Sequence, residues 1–153
     1  MLTEDEKREI SEELMKHPHK GAASVEALKI VQRKRGWIGQ EISEIAGLLG
    51  MTPDELESVA TFYSLIYRRP VGRHVILVCD SVSCWVMGFE TVRDYLSRKL
   101  GIGLGETTAD GSFTMLPVAC LGACDHAPAM MVDDELYQDL EPGKIDKILK
   151  KYE

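Results

Sequence analysis

The four cysteines of this 153-residue chain fall into two tight pairs. Cys79 and Cys84 enclose four residues, Cys120 and Cys124 enclose three, and 35 residues separate the pairs. Three chemistries fit four such thiolates. A [2Fe–2S] cluster needs a thiolate pair for each iron, and loops of three or four residues can wrap one. A structural zinc takes four ligands too, but its usual knuckle encloses two residues, and neither pair here does. Two disulfides or a redox-active dithiol also use neighbouring cysteines, although the two-residue redox spacing is absent and bridges are uncommon in a reducing compartment. Spacing favours iron–sulfur, with zinc and disulfide chemistry as the alternatives.

Four thiols become one site only if the fold brings them together, and the hydrophobic pattern supplies the means. Val75-Ile76-Leu77-Val78 is a continuous apolar run, as in a strand buried on both faces, and Cys79 directly follows it. Cys84 falls in the loop beyond. Phe89, Val92, Leu96 and Leu100 form a helical stripe closed by Gly101. Asp110-Gly111 marks a turn, and Phe113 to Val118 reads as a second strand, with Cys120 directly after it and Cys124 in its loop. If these strands are parallel neighbours joined by the helix, both strand ends lie on one edge of the sheet and all four sulfurs meet there. Ala129 to Val132 and Leu136-Tyr137 bracket Asp133-Asp134-Glu135 as a hairpin. Ile145, Ile148, Leu149 and Tyr152 form a closing helix with Lys150 and Lys151 in its last turn. Residues 71–153 thus read as a small two-layer α/β domain, βαβ plus hairpin plus helix, of thioredoxin-like type.

Residues 1–70 read as helices only, a small bundle ahead of that domain. Ile10 and Leu14 suggest a short, mostly polar helix stopping near His17-Pro18. Val25, Leu28 and Val31, widened by Ala27 and Ile30, mark a second, ended by Gly36. Ile42, Ile45, Ala46 and Leu49 give an amphipathic stripe closed by Gly50. Thr52-Pro53-Asp54-Glu55 supplies an N-cap, a first-turn proline and a capping-box glutamate for a fourth helix, whose buried face is assigned to Leu56, Val59, Ala60 and Tyr63. Arg68 to Gly72 reads as the linker.

Composition sets outer limits. Hydrophobic residues make up 44% and charged residues 28%, as in an ordinary globular protein. The net charge is −7, with residues 1–70 at −2 and 71–153 at −5, which argues against nucleic acid or an anionic membrane as partner. No apolar run approaches the roughly 18 residues of a membrane span. The acidic start, MLTEDEKREISEEL, lacks the features of a secretory or organellar presequence, so a prokaryotic cytoplasm is expected.

The flanks of the cysteines carry a resemblance. Pro70-Val71-Gly72-Arg73-His74-Val75 leads into Cys79-Asp80-Ser81-Val82-Ser83-Cys84. Leu116-Pro117-Val118-Ala119-Cys120-Leu121-Gly122-Ala123-Cys124 is followed by Ala127-Pro128-Ala129-Met130-Met131-Val132. Both stretches closely resemble the NuoE-type subunits of NADH:quinone oxidoreductases (respiratory complex I). The likeness extends upstream through Ala27 to Gln32, Arg35-Gly36-Trp37 and Val59 to Ser64, so it covers nearly the whole chain. It implies a helical N-terminal domain that helps dock a partner, then a thioredoxin-like ferredoxin domain with one [2Fe–2S] cluster held by Cys79, Cys84, Cys120 and Cys124. It implies a NuoF-type flavoprotein partner that binds FMN and NADH, further peripheral-arm subunits, and no insertion into the membrane by this chain. Related subunits serve NAD-linked hydrogenases and formate dehydrogenases, which is the alternative parent. The alternative of another class is a zinc- or disulfide-stapled assembly module.

Weaker signals are read conservatively. Ser81 and Ser83 are candidate donors to sulfur, which would raise a cluster's potential, while Asp80 and Asp125 oppose them. Gly101-Ile102-Gly103-Leu104-Gly105 follows a helix instead of joining a strand to one, so it fails the test for a dinucleotide loop. His17 and His19 read as solvated. The basic run Lys29 to Arg35 reads as a solvated helix face, with docking to an acidic surface as the competing reading. The helices at 41–50 and 53–63 resemble a helix-turn-helix in spacing, but the charge is wrong for DNA. Met115, Met130 and Met131 are expected in the core, Pro128 is a candidate cis-proline, and Trp85 has no assigned role.

Overall fold

The computed structural model describes residues 1–152 and divides at Pro70 into two compact units, Met1–Pro70 and Val71–Glu153. The first holds four helices: α1 (Glu4–Leu14), α2 (Ser24–Arg35), α3 (Ile42–Leu49) and α4 (Pro53–Phe62). Their ends follow the local chemistry. Thr52 and Glu55 form the expected capping box at α4, and Thr3 with Glu6 forms an equivalent one at α1. Gly36 and Gly50 close α2 and α3 in the left-handed conformation. Ile10, Leu28, Ile45 and Leu56 meet in the centre, fully buried. Tyr63 departs from the expected pattern. Helix α4 stops at Phe62, so Tyr63 turns into an extended conformation and stands exposed.

The basic run on α2 is largely occupied inside this unit. Lys29 pairs with Glu26, Lys34 with Glu9, and the Arg35 guanidinium donates to Glu6 at 2.6 and 2.8 Å and to Glu41 at 2.7 Å. Glu6 is only 1% exposed, and the Arg35 guanidinium holds its carboxyl at about 2. The run is therefore mostly an internal ion-pair seam, not a bare cationic face.

The second unit is built on a five-stranded sheet of order β2-β3-β1-β4-β5. Strands β1 (His74–Cys79) and β3 (Phe113–Val118) pair in parallel, with His74 opposite Phe113 and Cys79 opposite Val118. Between them run the short helix α5 (Val82–Val86) and the longer α6 (Phe89–Leu100). Strand β2 (Glu106–Thr107) adds two residues antiparallel to β3, an addition too short to show in periodicity. The hairpin β4 (Met130–Val132) and β5 (Glu135–Tyr137) lies on the other side of β1, and α7 (Pro142–Leu149) closes the unit.

Val75 to Cys79 are all buried, as a strand covered on both faces requires. Ile76, Val78, Met115 and Met130 pack with Phe89, Val92 and Leu96 of α6 and with Ile145 and Ile148 of α7. A side chain at Gly72 would stand 2.9 Å from the Phe113 backbone, so this glycine lets the chain enter beside β3.

Candidate functional site

The parallel register of β1 and β3 brings both cysteine pairs to one edge of the sheet. Cys79 is the last residue of β1 itself, where its N–H donates to the Ala129 carbonyl at 3.2 Å. Its thiol donates to the Ala119 carbonyl at 3.9 Å, which ties it to the segment leading into the second pair. Asp80 N–H continues the ladder to the Val118 carbonyl at 3.0 Å.

Cys84, expected in a loop, lies instead in α5. Ser81 occupies the N-cap position, and its carbonyl accepts the Trp85 N–H at 2.8 Å, so a single turn of helix forms between the cysteine and α6. The signal is local but short: a serine ahead of five residues is too brief for a period to emerge. The turn points Cys84 inward and leaves it buried beside Cys79. Burial pushes the Cys84 thiol up to about 11, the hydrogen-bonded Cys79 thiol raises it further, and the Ala129 backbone acts in the opposite direction. The charge of Cys124 also reaches Cys84, linking one pair to the other.

Cys120 and Cys124 are exposed, with their sulfurs 4.0 Å apart. The loop between them turns at Gly122, whose φ of +72° is left-handed, and the Gly122 N–H donates to Cys120 Sγ at 3.3 Å. Among the described residues it is this backbone group, not the hydroxyl of Ser81 or Ser83, that meets the Cys120 sulfur. Cys124 opens a single 3-10 turn, Cys124–His126. His126 Nδ1 lies 3.1 Å from Asp139, and the Asp139 N–H donates to the His126 carbonyl at 2.8 Å, which fixes this loop to the exit of the hairpin. Beside it the Ala127–Pro128 peptide is cis.

All four cysteines are free thiols, and 4.0 Å is about twice a disulfide bond length. Among the described residues no three Cys, His, Asp or Glu side chains gather closely enough around one point to hold a single metal ion. The arrangement is two pairs of soft sulfur donors, one buried and one exposed, with a backbone N–H directed at sulfur. That set fits a binuclear iron–sulfur cluster, which takes one pair on each iron and is tuned by such donors. A cleft of about 490 Å³ lined by Arg73, Lys99, Asp110, Ser112 and Tyr152 lies beside the start of β3 and holds none of the four thiols.

Residues 10–153 match the family described as thioredoxin-like [2Fe–2S] ferredoxin. The NuoE-type subunit of the NADH-quinone oxidoreductase of Pseudomonas aeruginosa is 50% identical over 153 residues, spanning 99% of this chain and 92% of its own length. Its counterpart of the same name from Escherichia coli K12 is 47% identical over 152 residues, with the same shares. Among solved structures, an NAD+-reducing [NiFe]-hydrogenase in the air-oxidized state superposes with a TM-score of 0.73 at 25% identity. That likeness covers 85% of this chain and 22% of the hydrogenase chain.

Proposed function

This chain belongs to the thioredoxin-like [2Fe–2S] ferredoxin family, and on that premise we propose that it is the electron-transfer subunit of an NADH-quinone oxidoreductase. It carries one [2Fe–2S] cluster, for which we assign Cys79, Cys84, Cys120 and Cys124 as ligands. The observation that carries the assignment is the in-register parallel pairing of β1 with β3, which sets both cysteine pairs on one sheet edge. When bound, such a cluster accepts and returns one electron at a time, the complement of a hydride donor that delivers two. The residues of this chain set the conditions. Burial of Cys79 and Cys84 excludes water from one side, while the Gly122 N–H steadies negative charge on Cys120.

NADH and FMN belong in this reading to a flavoprotein partner, with which the cluster exchanges electrons; the chain serves as one subunit of the oxidoreductase and does not act on NADH alone. The helical unit, residues 1–70, contributes docking, supported by the exposed Phe62, Tyr63 and Leu65 beyond its core. No helix among the described residues is long and apolar enough to cross a membrane. The chain is therefore placed in a peripheral arm, on the cytoplasmic side of a membrane complex. The likeness to the NAD+-reducing hydrogenase favours a second reading, the equivalent subunit of an NAD-linked hydrogenase. The 50% and 47% identities over the whole chain favour the quinone enzyme.

The test is EPR on anaerobically purified, dithionite-reduced protein. A spin-half signal near one per chain, absent before reduction, is the expected result. A silent sample of folded protein with defined zinc content and no iron would overturn the electron-transfer reading in favour of a stapled module.

A further inference from the structure

Helix α5 has two unlike faces. Cys84 is buried on one, whereas Val82, Trp85 and Val86, at i, i+3 and i+4, share the other and are 73%, 58% and 70% exposed. Met87 follows directly, 61% exposed. Together they present on the order of 500 Å² of apolar surface, a size of patch that on soluble proteins is often functional. The core of this unit gains nothing from them, and an aromatic ring and a methionine are the residue types enriched at the centres of protein interfaces.

The charges around this face have one sign. Asp80 precedes the helix and Glu90 follows it, both exposed, and neither has a cationic partner among the described residues. Asp125 and Asp139 stand on the neighbouring cysteine loop, where the histidine His126 is their partner. The Lys and Arg residues of this unit are instead carried mainly on the later part of α6 and on α7 and its C-terminal end, at Arg98, Lys99, Lys144, Lys147, Lys150 and Lys151.

We propose that the outer face of α5 is the docking surface for the redox partner, and that the partner's matching surface is an apolar centre with a basic rim. The proposal rests on the electron-transfer reading above and adds where the partner sits. A partner seated on Val82, Trp85 and Val86 is separated from Cys84 by the width of one helical turn, so the contact that gives affinity also sets the distance to the cluster. The acidic rim steers a basic surface toward it and disfavours acidic competitors.

The experiment uses the full-length chain with its cluster and the flavoprotein subunit of the same oxidoreductase as the probe. In a Trp37→Phe background Trp85 is the remaining tryptophan, and its emission is expected to shift to the blue as the flavoprotein is added. The double variant Trp85→Ser, Val86→Ser is expected to lose roughly tenfold or more in affinity, with EPR signal and iron content unchanged. Glu90→Lys is expected to slow association and flatten its salt dependence. A silent Trp85 together with unchanged affinity of the double variant would overturn the docking surface while leaving the electron-transfer reading intact. Failure of the wild-type chain to bind the flavoprotein at all would overturn that reading itself. If the double variant instead turns a dimer of this chain into a monomer by sedimentation and binds the flavoprotein normally, the face is a self-contact and the proposal falls.

Discussion

The helical unit completes itself and the sheet unit does not. In the first, the buried charge of Glu6 is met by Arg35, which is met in turn by Glu41 and the Met1 carbonyl. The same carboxylate accepts the Thr3 N–H at 2.7 Å, so one side chain caps a helix and anchors an ion pair. In the second, two thiols are buried without a charge partner, two more stand in water, and the helix between them turns apolar side chains outward. The difference teaches what each unit is stabilised by: the first by groups within its own sequence, the second in part by a metal group and a partner that the sequence does not contain.

Removing a thiol is the largest way to break this contrast. Cys120→Ser is expected to lower iron per chain and the reduced EPR signal roughly tenfold or more, while the helical unit keeps its far-UV CD. A Cys120→Ser protein with unchanged iron content and spectrum would refute the ligand assignment.

The next effect runs the other way, striking the helical unit and sparing the cluster. Glu6→Gln removes a buried carboxylate from Arg35 and is expected to cost that unit about 3 kcal/mol, read as a lower midpoint in urea with an unaltered EPR signal. A pH series gives the same contrast. Arg35 depresses the Glu6 carboxyl from an ordinary 4.5 to about 2, so its contribution is complete above pH 4.5 and is lost as pH falls toward 2. That shift corresponds to about 3 kcal/mol, and in Glu6→Gln this part of the acid sensitivity should vanish. Equal acid sensitivity in both proteins would remove Glu6 as its source.

The smallest effect is at a cap. Thr52→Ala deletes the hydroxyl that accepts the Glu55 N–H and should cost the helical unit about 1 kcal/mol. Chemical denaturation followed at the helical signal measures it, and the cluster's visible absorption should not change below the unfolding midpoint.

Much of this is legible from residue order. The stripe Ile42, Ile45, Ala46, Leu49 and the stop at Gly50 give α3 to the residue, and the apolar run Val75 to Val78 gives β1 with its double burial. The Cys79 and Cys120 pairs can be placed on one edge because a βαβ crossover allows little else. Tyr63 is misassigned to a buried face because its spacing continues that of α4, while the helix ends one residue earlier. The run Lys29 to Arg35 looks like a cationic face because its acidic partners Glu6, Glu9 and Glu41 come from other segments. Nothing in a local window shows that these neighbours exist.

The sequence by itself determined the donor atoms, their pairing along the chain and the ends of most helices. These depend on spacing, on capping side chains and on left-handed glycines, all settled within a few residues. Only the tertiary structure decided that Cys79 and Cys84 are the buried pair and Cys120 and Cys124 the exposed one. It also decided that the Gly122 N–H, and not a serine hydroxyl, meets the Cys120 sulfur, and that α5 turns Trp85 outward. The physical reason is that burial and hydrogen-bond direction are set by what packs across the sheet edge, and those neighbours, Ala119, Ala129 and Asp139, arrive from segments far away in the chain.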